Sequence, residues 1–111
     1  MRVEDINEQK VADVLTWLAT TDGDYAEAKA NLESAEILRK RIRARHFLTS
    51  EGTVTERQAE AEIADETQAA DDAYISALGK FENLKAKRQR GDLIIDVYRT
   101  LAASRRVGMT L

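Results

Sequence analysis

Apolar residues recur at helical spacing along nearly the whole chain. Val11, Val14, Leu15 and Leu18, with Trp17 beside them, predict a first helix over about 4–19. Thr20-Thr21-Asp22-Gly23-Asp24 then read as a break and a new N-cap. Tyr25, Ala28, Leu32, Ala35 and Ile42 form one stripe of a second helix, three or four residues apart until the last gap. That gap is informative. The heptad position after Leu32 is Arg39, and Arg43 lies on the same side, so the apolar face turns cationic in its last turns. This helix should end near Ser50, with Gly52 as the left-handed residue common just beyond a helix.

Thr53-Val54-Thr55-Glu56 is a capping-box pattern, in which the threonine hydroxyl accepts from the N3 amide and the glutamate reaches back. It opens the longest predicted helix, roughly 54–89. There Ile63, Ala70, Ala77 and Leu84 recur every seven residues, and Thr67, Tyr74 and Phe81 run as a second line. Together they make a narrow coiled-coil-like seam. Gly79 inside it is a weak point of about 1 kcal/mol relative to alanine. Gly91-Asp92 marks a break or a bend before a last helix over about 92–106, with Ile94, Val97, Tyr98 and Leu101 on one face and Gly108 closing it. The short connection at 50–53 folds the chain back. The expected fold is therefore all-α, an antiparallel hairpin of two long helices with short N- and C-terminal helices, in a single domain over 1–111.

Composition agrees with long helices. There is no proline among the 111 residues and there are only five glycines. The absence of cysteine removes disulfides and thiolate chemistry. The opening segment is acidic and polar, unlike a secretory signal, and no apolar run approaches the ~18 residues of a membrane span. These features predict a protein of the cytoplasm, the host cell's cytoplasm if the chain is phage-encoded.

The formal net charge of −3 hides four alternating blocks. Residues 1–38 hold nine acids and three bases, and 51–79 hold eight acids and one base. Between them Arg39, Lys40, Arg41, Arg43 and Arg45 stand within seven residues, and 80–111 carry eight bases against three acids. In the folded-back chain the 39–45 cluster lies near the hairpin tip, and the basic 80–106 region lies away from it.

Catalysis finds little support. Asp71 and Asp72 are adjacent, so on a helix they point about 100° apart and cannot clamp one metal. Glu56, Glu60 and Glu62 lack a histidine partner, and no Glu-x-x-His pattern or phosphate-cradling glycine loop is present. No cofactor is implied. His46 reads as a cation complementing a helix C-terminus. The run Arg39–Phe47 carries the strongest functional signal. Its bases could cap their helix or pair with the acidic block across the hairpin. They also exceed what a cap needs, and Phe47 adds an aromatic plane. Cations beside an aromatic suit single-stranded nucleic acid.

Three stretches resemble the UvsY-type recombination mediators of tailed phages. They are Met1-Arg-Val-Glu-Asp-Ile-Asn-Glu8; Glu36-Ile-Leu-Arg-Lys-Arg-Ile-Arg-Ala-Arg-His-Phe-Leu48, with its basic–Ala–basic element; and Asp72-Ala-Tyr-Ile-Ser-Ala-Leu-Gly-Lys-Phe-Glu-Asn-Leu84, followed by a basic C-terminal stretch. The resemblance implies single-stranded DNA binding and help in loading a recombinase onto strands covered by single-strand-binding protein. It places the DNA-contacting pair on Arg43 and Arg45 and implies a homo-oligomer formed near 92–107, where Ile94, Val97, Tyr98 and Leu101 lie. Arg39, Lys40 and Arg41 would join the phosphate contacts, with Phe47 stacking. Two other readings compete: a phage-encoded module whose acidic surfaces bind a host protein, and a purely structural helical component.

Overall fold

The computed structural model describes residues 2–110. After a single 3-10 turn at Val3–Asp5, three helices follow: α1 over Glu8–Thr49, α2 over Val54–Ile63 and α3 over Asp65–Thr110. The described residues contain no strand. The fold is all-α, dominated by two long helices of 42 and 46 residues.

Two expected helix breaks are absent. The first and second predicted helices are one, because residues 20–24 are held inside α1. Thr20 and Thr21 turn their hydroxyls back onto the carbonyl oxygens of Thr16 and Trp17, at 2.9 Å each. Arg88 then ties the segment from outside. Its Nη1 donates to the Leu18 carbonyl at 2.9 Å and to the Thr21 hydroxyl at 2.7 Å, and its Nη2 donates to Asp22 at 2.5 Å. Gly23 alone costs about 1 kcal/mol against alanine, too little to end a helix held this way.

The predicted short C-terminal helix is likewise part of α3, which runs through Gly91, Asp92 and Gly108. Gly91 is a packing residue. A Cβ there would meet Val14 Cγ1 at 3.1 Å, so the missing side chain lets α3 approach α1 closely.

The real break lies at Ala64, whose extended backbone (φ −58°, ψ 134°) separates α2 from α3. Neither proline nor glycine marks it. The acidic pair Asp65 and Glu66 in the first turn of α3 suits a helix start. Ile63, expected in the seam, ends α2 and is 69% exposed. The rest of the seam holds: Thr67, Ala70 and Phe81 are buried, and Tyr74, Ala77 and Leu84 are half-buried. The α1–α2 connection has the expected left-handed glycine and the threonine half of the expected capping box. Gly52 has φ 112°, and the Glu56 amide donates to the Thr53 hydroxyl at 3.2 Å.

The chain forms two compact units: a terminal unit of Met1–Tyr25 with Asn83–Leu111, and a central unit of Ala26–Glu82. The terminal core is Ile6, Val14 and Ile94, with Leu18, Ile95, Val97 and Tyr98 packed against it. Each fully buried large aliphatic side chain contributes about 1.5–3 kcal/mol. Asn7 caps α1 at this core, its Oδ1 accepting from the Lys10 amide at 2.9 Å. The central unit buries Ile42, Ala61, Thr67, Ala70 and Phe81. No helix among the described residues is long and apolar enough to cross a membrane.

Candidate nucleic-acid interface

The basic run of α1 meets its own carboxylates. Arg43 donates from Nε to Glu62 at 2.8 Å, and from Nη1 and Nη2 to Asp71 at 2.8 and 2.5 Å. Arg45 donates to Glu66, whose second oxygen lies 3.0 Å from His46 Nε2. Lys40 pairs with Glu36 one turn back at 3.3 Å. Arg39 follows the stripe predicted for it, its guanidinium stacked 4.2 Å from the centre of the Tyr74 ring. Its Nε is buried without a hydrogen-bond partner. Arg41 is exposed. Phe47 is covered on one face by Arg57, which lies 4.2 Å from the ring centre and donates from Nε to the Phe47 carbonyl at 3.0 Å.

These bonds leave an electrostatic signature. The hydrogen bonds that Arg43 donates to Asp71, then to Glu62, raise its pKa above the ordinary value. Glu66 does the same for Arg45. In return, the Arg43 guanidinium lowers the Asp71 pKa, and Arg45, then His46, lower that of Glu66. A phosphate reaching Arg43 must displace two carboxylates and then sit beside them. The pairs at Arg45 and Lys40 are far more exposed and exchange more readily.

The terminal unit offers a different surface. Its α1 and α3 segments enclose a groove of about 480 Å³. Val14, Gly91 and Ile94 form the floor, Trp17 lines one part, and Lys10, Asp13, Lys87 and Arg90 complete the lining. The volume falls within the roughly 300–1,000 Å³ usual for ligand clefts. Gly91 matters twice here, as the point where α3 approaches α1 closely and as part of the groove lining. Asp13 accepts from Gln9 Nε2 at 2.9 Å. Among the described residues, the side chains of Lys10, Lys87 and Arg90 form no ion pair and no hydrogen bond. Arg88, between two of these bases, is spent on holding α1.

Ile94, Val97 and Tyr98, expected to join copies of the chain, lie in or against the terminal core, and Leu101 is half-buried. Lys10, Trp17, Lys87 and Arg90 escaped the sequence reading as a group. Their signal was the basic stretch after residue 80 combined with the single tryptophan, but only the fold brings residues 10–17 to 87–94. Among the described residues, no three histidine, cysteine or carboxylate side chains gather to hold a metal ion. Compared with known protein families, curated proteins and solved structures, the chain matches none.

Proposed function

We propose that the protein binds single-stranded DNA as an accessory of phage-type recombination, helping to load a recombinase. The observation that carries this reading is the division of charge. The central unit has twelve acids against eight Lys and Arg and turns several of those bases onto its own carboxylates. The terminal unit has nine Lys and Arg against eight acids and leaves Lys10, Lys87 and Arg90 open to an anion. Phosphates then bind mainly through the terminal unit, with Arg41 and the exchangeable Lys40 and Arg45 as a second contact. The recombination role rests on the resemblance of residues 1–8, 36–48 and 72–84 to the phage mediators.

The pairs Arg39 with Tyr74, Arg43 with Asp71 and Arg45 with Glu66 run in opposite chain order, which supports an antiparallel hairpin of α1 and α3. Self-association through 92–107 would multiply the contact surfaces and gain affinity by avidity. Leu93, 61% exposed on that stretch, supports it. The acidic surplus of the central unit favours a second reading, docking on a basic protein surface.

Fluorescence anisotropy tests the first reading. A labelled single-stranded oligonucleotide should bind at low salt and release steeply at moderate salt, with a slope of about −0.7 per phosphate neutralised. Light scattering on the same samples gives the mass. A folded protein that leaves the anisotropy unchanged at low salt would exclude this function.

A further inference from the structure

The groove of the terminal unit combines three features that Arg43, Arg45 and Phe47 do not share. Among the described residues its cations are unpaired and its aromatic side chain is not covered by an arginine, and its volume admits a planar group. Lys10 comes from the first turns of α1, and Lys87 and Arg90 come from α3 three residues apart, which places them on one helix face. Against these three bases the lining has one carboxylate, Asp13, already engaged by Gln9. The net charge of the lining is positive while its floor is apolar. A simple inorganic anion uses the charge but not the floor, and an apolar ligand does the reverse. A nucleobase with its neighbouring phosphates uses both.

We propose that this groove is a nucleotide-stacking site. One unpaired base of a single strand lies against Trp17, and Lys10, Lys87 and Arg90 hold the phosphates on either side of it. The inference rests on the single-stranded DNA reading and adds to it a site and a preference. A base must leave its duplex partner to enter, so single strands bind better than duplexes of the same length. The contact is to the face of the base, so it tolerates sequence.

Trp17 is the only tryptophan, and its own fluorescence reports on the site. Labelled oligothymidylate is titrated beside a strand of equal length whose residues are abasic, with anisotropy and tryptophan emission read together. The two strands carry the same phosphates, so they differ only in what can stack. Oligothymidylate is expected to raise anisotropy and quench Trp17 together, while the abasic strand binds about five- to a hundredfold more weakly and leaves the emission nearly unchanged. Trp17→Leu keeps apolar volume at the groove and should bring oligothymidylate down to the affinity of the abasic strand, with thermal unfolding monitored to show that the variant is folded. Equal binding of the two strands with unquenched emission would overturn the groove while leaving DNA binding intact. Absence of any anisotropy change would overturn both. If Trp17→Leu does not fold, the abasic comparison in the unaltered protein decides alone.

Discussion

Two basic stretches of one chain differ in how far the fold neutralises their charge. The run at 39–46 is denser in the sequence, yet Arg43, Arg45 and His46 face Glu62, Asp71 and Glu66. The bases at 85–106 are sparser; Arg88 and Arg99 pair with Asp22 and Asp96, yet among the described residues Lys87 and Arg90 line a groove with no ion pair of their own. Charge density along a sequence therefore measures supply. What remains for a ligand depends on the carboxylates that the fold brings within about 4 Å. The acidic block of 51–79 folds back against the first run. The terminal unit brings fewer acids to the second, and one of them, Asp22, is taken by Arg88.

The sharpest way to break this comparison is to neutralise each stretch in turn. Lys87→Gln with Arg90→Gln should weaken binding of a single-stranded oligonucleotide by about tenfold or more at low salt. It should also reduce the magnitude of the salt slope by about 1.4, two contacts at about 0.7 each. Arg43→Gln with Arg45→Gln should change affinity far less but lower the thermal midpoint, because Glu62, Asp71 and Glu66 lose their partners. Anisotropy and thermal melts on both double variants decide it. Reversed results would return the interface to the basic run of α1.

The comparison also marks how far residue patterns reach. Helical spacing identified an all-α fold with two long helices, the seam from Thr67 to Phe81 and the turn at Gly52, because these depend on local propensity and a repeating buried face, but it misplaced the helix bounds: the helix expected over 54–89 is divided at Ala64. The place of Arg39 on the apolar stripe was legible too, but its contact with Tyr74 was not, since the sequence reading assigned its guanidinium to phosphate. The false break at 20–24, and the separate short helix expected after the break or bend at 91–92, came from treating Gly, Asp and Thr as local punctuation. Arg88 and Val14, distant in sequence, decide those positions. The true break at Ala64 carries no breaker residue. Internal pairing within the basic run was a stated alternative to DNA contact, and no spacing rule could choose between them. Choosing required knowing which acids lie opposite which bases.

A smaller effect separates the units by pH. Asp71 and Glu66 hold protons more weakly in the folded chain than in the unfolded one, because Arg43 and Arg45 favour their charged forms. Each therefore adds stability above the ordinary carboxylate range near pH 4. That contribution fades as pH falls through the lowered folded values. Acid should loosen the central unit first. Urea midpoints measured from pH 6 to pH 2 should fall less steeply for Asp71→Asn than for the unaltered chain. Parallel curves would mean that ionisation of Asp71 beside Arg43 adds nothing to stability.

The smallest expected effect compares two helical glycines, one from each unit. Gly79 in the central unit is exposed, and a Cβ there meets nothing within 4 Å. Gly79→Ala should gain about 0.5–1 kcal/mol, since alanine restricts the unfolded chain and favours the helix. Gly91 in the terminal unit has the same propensity to gain, but its Cβ would stand 3.1 Å from Val14 Cγ1 and 3.5 Å from Leu18 Cδ2. Part or all of the gain is then spent moving two core side chains, so Gly91→Ala should stabilise less than Gly79→Ala or destabilise. Gly91 and Val14, which the methyl would push, both line the groove. Gly91→Ala should therefore weaken oligonucleotide binding by a small factor, whereas Gly79→Ala should leave it unchanged. Denaturant midpoints and anisotropy on the two variants supply both readings. Equal stability gains would show that α1 and α3 approach less closely at Gly91 than the 3.1 Å contact requires.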